Sequence, residues 1–379
     1  MGLHVKVAVE CAREFEWEGE IAPFLNNSRC VVLKEPIGVV GAITPWNWPL
    51  NQIACKLAPA LLTGCTVVLK PSEVAPLNAV LVAEALHAAA LPAGVVNVVF
   101  GAGAGCGEVL ATSAKVDMVS FTGSTPVGKT LQALGAGTVK RVRTELGGKS
   151  AAVILPDATA PQIVEMASHV VGNTGQSCNA LSRLLVPRSR LAEVEELAKG
   201  AFEKRRVVES TDTEAKMSCI GPLASAAQHE KVRRFIRAGI DEGAKLVTGG
   251  LEHPEDVPAG GYFVRPTVFS EVTPAMAIAT EEIFGPVLSI LPYDSVEEAV
   301  AIANDTVFGL NNGVAGADVD AAMAVARRLR SGQVHVNTTA GNPKSPFGGY
   351  KQSGDGREWG SYGLEEFLQT KAINVPAAE

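Results

Sequence analysis

The sequence predicts an α/β protein built from two doubly wound domains, and three observations carry that expectation. From Gly38 onward, short β-branched runs alternate with helix-like stretches, the mark of a parallel sheet wound with helices. The apolar runs lack strict alternation, as expected of strands buried on both faces. The 379 residues exceed one ordinary core and suffice for two.

In the first series, GVVGAIT, CTVVLKP, VVNVVFG, VDMVSFTG and KRVRTEL read as five strands. The stretches LNQIACKLAPALL, PLNAVLVAEALHAAAL, GCGEVLATS and TPVGKTLQALG read as the crossovers between them. Together they predict a nucleotide-binding domain over 37–148 with its ligand at the carboxyl ends of the strands. A second series runs from AAVILP through a helix near 160–171, RLLVP, two charged helices, PVLSILPY, SVEEAVAIAND and DAAMAVARRLRSG to QVHVN, giving a second α/β domain over 149–350. The Gly/Pro-rich piece 249–261 reads as a surface loop. SRCVVLKEP (28–36) and QTKAINVP near the C-terminus have strand character but no place in either series. Orphan strands of this kind pair with each other or with a neighbouring subunit.

Composition narrows the function. Apolar residues make up 47% and charged residues 19%, the balance of a globular protein, and the net charge of -7 disfavours nucleic acid as a partner. Seven cysteines without a CxxC pair fit neither a disulfide framework nor a zinc site. The six histidines stand singly, so no metal site is expected. Lys6, Glu10, Arg13 and Glu14 interrupt the N-terminal apolar residues, and Glu84, His87, Pro92 and Gly94 interrupt 79–100. Neither a signal core nor a membrane span is expected, and the chain reads as cytoplasmic.

Several motifs carry chemistry. In NTGQSCNALSR, Cys178 sits among small polar residues with little apolar surface to pack against. It reads either as a small hydrophobe or as a nucleophile, and the second needs a base and an oxyanion donor elsewhere. GAGAGCG (101–107) lacks the GxGxxG spacing and reads as a turn. FTGSTPVG ends a strand at Gly123 and Ser124 and starts a helix directly after, a geometry that aims N–H groups at an anion but also suits an ordinary turn. In KPSE, Lys70 and Glu73 fall where a ribose would rest, and a carboxylate there favours NAD over NADP. Glu145, 22 residues beyond Gly123, is a rival for the ribose position. TPWNWPL holds Asn47 between two tryptophans and two prolines, a rigid frame for an oxyanion donor or a packed loop. TELGGKS places Glu145 at a strand end, where burial would raise its pKa toward that of a base and where a salt bridge is the plainer alternative.

Taken together, PWNWPL, GCTVVLKPSE, FTGST, TELGGKS, GQSC, EEIFGPV and PFGGYKQSG resemble, in type and order, the NAD(P)-dependent aldehyde dehydrogenases, with similarity from Val31 to Val375. The resemblance implies Cys178 as nucleophile, Glu145 as general base and Asn47 as oxyanion donor together with the Cys178 backbone N–H. It gives the adenosine ribose to Lys70 and Glu73, the pyrophosphate turn to Gly123 and Ser124, and the nicotinamide ribose to Glu282 and Phe284. Thr44, Trp46 and Leu146 complete the implied cofactor contacts. NAD is the expected cofactor, a small-molecule aldehyde the expected substrate, and oxidation to the carboxylic acid the expected reaction.

The same resemblance makes 18–36 and 364–379 an oligomerisation sheet and implies a homodimer or homotetramer. It also adds 1–17 to the cofactor domain and implies a further section, which family members usually carry ahead of the position of Met1. Two other readings are a cofactor-independent thiol esterase and a truncated, non-catalytic subunit. A CoA-acylating enzyme is disfavoured by Glu145, because those relatives tend to lack the hydrolytic base.

Overall fold

The computed structural model describes residues 1–23, 28–209 and 219–376. Residues 24–27, 210–218 and 377–379, which fall within the segments 18–36, 149–350 and 364–379, lie outside the described residues. The chain divides into two compact units. Unit 1 holds the described residues of 1–145, 342–348 and 354–376, and unit 2 holds those of 146–341 and 349–353.

Unit 1 begins with helix α1 (Gly2–Glu14) and continues through strands β1 (Glu18–Ile21) and β2 (Ser28–Pro36). The five runs read as strands from the sequence are strands: β3 (Val39–Ile43), β4 (Thr66–Lys70), β5 (Val96–Val98), β6 (Met118–Thr122) and β7 (Arg141–Glu145). They form one parallel sheet in the order β5-β4-β3-β6-β7. The order reverses at β3, which opens a crevice beyond the carboxyl ends of β3 and β6. Helices α2 (Pro49–Leu62), α3 (Leu77–Ala88), α4 (Glu108–Thr112) and α5 (Thr125–Gly135) are the crossovers. Pro49 starts α2 at its first position, where the ring's fixed φ suits the helix and the absent N–H leaves no bond unmade. The GAGAGCG string, read as a turn, forms at 103–107 a wide helical turn that is broken at Ala104 and Gly105, the latter at φ +115°, and leads directly into α4.

The two orphan strands find each other. The C-terminal strand Leu368–Pro376 runs antiparallel to β2, from Leu368 opposite Pro36 to Pro376 opposite Ser28, and β1 pairs with the other edge of β2. Arg141 of β7 anchors the approach to this strand, its Nη1 donating to the carbonyls of Glu366 and Leu368 at 2.6 and 2.9 Å.

Unit 2 carries a seven-stranded sheet. Its strands are β8 (Ser150–Ile154), β9 (Leu181–Pro187), β12 (Lys245–Thr248), β13 (Thr267–Ser270), β14 (Val287–Tyr293), β15 (Asn311–Ala315) and β16 (Gln333–Val336). A separate short parallel pair is formed by β10 (Arg206–Val207) and β11 (Cys219–Ile220). The large sheet is ordered β12-β13-β14-β9-β8-β15-β16 and is parallel except for the edge strand β12. Alternate residues of β8 feed two cores: Ala151 and Val153 pack in one, Ala152 and Ile154 in the other. Burial of both faces explains why AAVIL is continuously apolar.

Three strands of the large sheet, β12, β13 and β15, and both strands of the short pair are absent from the sequence reading. The polar start of NNGVA hides β15, because its asparagines are buried and their side-chain amides find tertiary donors and acceptors, although Asn311 Oδ1 has no partner in the protein. Asn312 Oδ1 accepts from the Ala151 N–H at 2.8 Å, and its Nδ2 donates to Ser331 Oγ at 3.0 Å. Arg183 is likewise buried, its guanidinium donating to the carbonyls of Lys149, Ile302 and Ala303. Among the described residues, no helix is long and apolar enough to cross a membrane.

Candidate functional site

The residues singled out from the sequence fall into two groups, one in each unit. In unit 1, Thr44, Trp46 and Asn47 follow β3, Lys70 ends β4, Gly123 and Ser124 follow β6, and Glu145 ends β7. All therefore lie at the carboxyl edge of the parallel sheet, because each strand runs the same way and delivers its last residue to the same rim.

Lys70 is buried and its Nζ lies 2.9 Å from Glu73 Oε2, which is exposed. That hydrogen bond holds the Glu73 carboxyl below the usual carboxylate range. Ser124 caps α5 with no side-chain bond to the helix backbone, so the first turn of an eleven-residue helix presents its positive end at the rim. Beside it, the buried hydroxyls of Thr44 and Thr122 have no protein partner. Buried hydroxyls normally find one, so this rim is suited to a polar ligand. Trp46 and Asn47 are half-buried in the bend that leads into α2.

Glu145 is only 3% exposed and neither carboxyl oxygen has a hydrogen-bond partner in the protein. Burial pushes its pKa well above the ordinary carboxylate range, Glu358 adds to the rise, and Lys56 and Arg357 oppose it. Both Lys56 and Glu358 escape the sequence reading. Their ion pair, 2.8 Å between Nζ and Oε1, is itself buried, and Lys56 Nζ also donates to Ser120 Oγ at 3.2 Å. The available signal was a lone charged residue in the mostly apolar helix α2, nine of whose residues are buried. A charge in such a place needs a partner.

In unit 2, Cys178 follows a backbone loop that few side chains tolerate. Asn173, Thr174 and Gly175 are all left-handed, at φ 50°, 55° and 72°. For a β-branched threonine this is a strained conformation, held only when the surroundings determine it. The surroundings do so: Thr174 Oγ1 donates to the Gly221 carbonyl at 3.1 Å, and Gln176 Oε1 accepts from the Ala224 N–H at 2.9 Å. Gly175 lies so close to Gly285 that an added Cβ would collide with the Gly285 carbonyl group. Beyond the cysteine, His169 Nδ1 accepts the Leu181 N–H at 3.1 Å and Asn311 Nδ2 donates to the Asn179 carbonyl at 2.9 Å. Cys178 is half-buried at the end of this braced loop.

The same unit brings Glu282, Phe284 and Leu146 into that neighbourhood. Glu282 Oε1 accepts the Gly148 N–H at 3.0 Å, and a Cβ on Gly148 would stand 2.6 Å from the Cys178 carbonyl oxygen. Phe284 is left-handed at φ 60° with its carbonyl accepting from Gln228 Nε2 at 2.7 Å, and Leu146 N–H donates to Ser353 at 2.9 Å. Next to Gly148, Lys149 is buried with Nζ unbonded by protein, and burial lowers its pKa to about 7.

Comparison with known proteins agrees with this architecture. The sequence profile of the aldehyde dehydrogenase family matches residues 3–373. A 3-succinoylsemialdehyde-pyridine dehydrogenase of a Pseudomonas species is 52% identical over 371 residues, covering 98% of this chain and 76% of the relative. Among solved structures, a cysteine-to-alanine mutant of aldehyde dehydrogenase C from Pseudomonas syringae, in complex with NAD+ and octanal, superposes with a TM-score of 0.92. It is 49% identical and covers 99% of this chain and 75% of its own. Mycobacterium tuberculosis aldehyde dehydrogenase complexed with NAD+ gives a TM-score of 0.93 at 41% identity, over 100% and 77% of the two chains. With the profile spanning nearly its whole length, the chain belongs to the aldehyde dehydrogenase family.

Proposed function

We propose that this chain oxidises an aldehyde to the carboxylic acid with NAD, through covalent attachment of the substrate to Cys178. The observation that carries the reading is the Glu145 carboxyl, buried, unbonded by protein and raised in pKa. A carboxyl so placed holds a proton more tightly than a surface anion does and suits the role of a general base.

The rim of unit 1 fits a dinucleotide: partnerless Thr44 and Thr122 hydroxyls, the Lys70–Glu73 pair and the start of α5 offer donors and acceptors suited to ribose and pyrophosphate. Lys70 and Glu73 would hold the adenosine ribose, Gly123 and Ser124 the pyrophosphate, and Glu282 and Phe284 the nicotinamide ribose, with Thr44, Trp46 and Leu146 along the bound cofactor. When bound, NAD supplies the hydride acceptor. In this reading residues 1–17 and 37–148 serve as the cofactor domain, 149–350 as the thiol domain, and 18–36 with 364–379 as the strands of subunit assembly.

The chain's own residues do the rest. The Cys178 thiolate forms a C–S bond to the carbonyl carbon, and the carbonyl π electrons move to oxygen. Asn47 Nδ2 and the Cys178 N–H donate to that alkoxide. Its collapse to a thioester expels the hydride. Glu145 then takes a proton from water as the water oxygen attacks the thioester, and the C–S bond breaks to return the thiolate and release the acid.

The experiment is a panel of aldehydes that includes octanal and 3-succinoylsemialdehyde-pyridine, each with NAD and NADP, read by absorbance of the reduced cofactor. Turnover with NAD that disappears in Cys178→Ser is expected. Ester hydrolysis unaffected by NAD, with no aldehyde oxidation, would overturn the reading. The edge strand Leu368–Pro376 supports a dimer or tetramer assembled through the three-stranded sheet. Sedimentation as a monomer at micromolar concentration would remove that part.

A further inference from the structure

The carboxyl group of Glu145 meets a wall of bare backbone. A Cβ built on Gly348 would stand 2.7 Å from Oε1, and one built on Gly356 would stand 3.1 Å from the same oxygen. The two glycines differ in what else a side chain would encounter. At Gly348, φ is +155° and the added carbon would also collide with the Gly356 carbonyl oxygen, so the backbone itself demands glycine. Gly356 is not left-handed, and the atom closest to its missing side chain is the Glu145 oxygen, ahead of Thr144 O at 3.2 Å and Thr144 N at 3.4 Å.

The segment that carries Gly356 is tied to the residue just before Glu145. Asp355 Oδ1 accepts from the Thr144 N–H at 3.1 Å and from Thr144 Oγ1 at 2.9 Å, and the Gly356 N–H donates to the Thr144 carbonyl at 3.0 Å. Arg143 adds an ion pair to Asp355 at 3.1 Å. Thus the wall and the strand end that bears the carboxyl are registered to one another by three hydrogen bonds.

We infer that Gly356 is a positioning residue for Glu145: its bare Cα, clamped to Thr144 through Asp355, sets where the carboxyl stands when it takes a proton from the attacking water. The inference rests on Glu145 being the general base. A methyl group here is too small to unravel the segment but large enough to displace a carboxyl oxygen by a few tenths of an ångström. Small misplacements of a reacting group are expensive in rate.

The test is Gly356→Ala in the full chain, first shown by thermal denaturation and by NAD titration of tryptophan fluorescence to be folded and cofactor-competent. The expected result is a kcat about tenfold lower, with a burst of one reduced cofactor per site ahead of the slower steady state. The burst arises because thiol attack and hydride release precede the step that needs Glu145. The acid limb of kcat shifts as well, since a displaced carboxyl oxygen changes its distances to the charges around it. The charged groups facing it, Glu358, Lys56, Arg357 and Glu366, stay as they are.

In a Glu145→Asp background, whose carboxyl is withdrawn by one methylene, Gly356→Ala is expected to cost nothing further, a non-additivity that a merely structural glycine would not show. Were Gly356→Ala not to fold, Asp355→Ala carries the test, because it unties the wall from Thr144 without adding atoms, and the same burst is expected. Wild-type kcat and pH profile in the folded variant, or fully additive losses with Glu145→Asp, would overturn the inference. Full turnover by Glu145→Gln would instead overturn the assignment of the base.

Discussion

Lys56 Nζ lies 2.8 Å from Glu358 Oε1, with side-chain exposures of only 2% and 7%. A buried ion pair contributes little net stability, but removing one partner strands the other in a medium that cannot solvate it, at about 3–5 kcal/mol. Lys56→Met is therefore expected to lose that much in urea denaturation, and Lys56→Met with Glu358→Leu to recover most of it. An equal loss in both would show that the pair is not the source.

The same lysine pulls the Glu145 pKa down against burial and Glu358. As the proposed general base, Glu145 works in its deprotonated form, so activity is expected to fall as pH drops through its pKa. The folded double variant loses both the cation and the facing anion, and its acid limb reports the difference between them. Replacing Glu145 itself by Gln should lower kcat by about 10²–10⁴-fold.

Glu145 also makes a stability prediction. Its folded pKa is raised above the ordinary 4.5, so the protonated form is the one that folding favours. That contribution is fully present below pH 4.5 and is lost as pH rises through the folded value. Glu145→Gln, which mimics the protonated state, is expected to be more stable than wild type at pH 8, with the gap closing toward pH 4. A gap that widens in acid would contradict the burial argument.

Lys149 gives the opposite titration. Burial lowers its pKa from 10.5 to about 7, so folding opposes the charged form. The penalty is complete below about pH 7 and is relieved as pH rises toward 10.5. Lys149→Met removes it, and the variant should exceed wild type in stability by a few kcal/mol at pH 6, because each tenfold loss of proton affinity is worth about 1.4 kcal/mol. Equal stabilities across that range would mean that Nζ is solvated in the folded protein.

Gly175→Ala meets two obstacles, a left-handed φ of +72° and a collision with the Gly285 carbonyl group. Left-handed strain alone accounts for about 1–3 kcal/mol, and the collision forces the loop away from Gly285 as well. The variant should lose more than that in denaturation. Its Cys178 should react with iodoacetamide at a changed rate, read by mass spectrometry at that site. An unchanged labelling rate would show that the braced loop does not set the environment of the thiol.

Much of this protein is legible along the chain, because strand-and-helix alternation is a local property. All five strands of the unit 1 sheet lie where β-branched runs place them. The rim residues Thr44, Lys70, Gly123 and Glu145 follow, since a parallel sheet delivers every strand end to one side. The strand β15 was not legible: Asn311 and Asn312 look like loop residues until Asn179 accepts from the one and Ala151 and Ser331 bond the other. Nor was the setting of Glu145, whose charge balance depends on Lys56 and Glu358, 302 residues apart.

The sequence by itself determined the elements of the unit 1 sheet, the chemistry-bearing motifs and the family, because propensity, periodicity and short motifs are written in neighbouring residues. Only the tertiary structure decided that Ser28–Pro36 pairs with Leu368–Pro376, that a lysine in an apolar helix finds a glutamate, and that two glycines wall in a carboxyl group. Those outcomes depend on which distant groups share a dry interior, where an unpaired charge or hydrogen bond is too unfavourable to persist and sequence separation has no bearing.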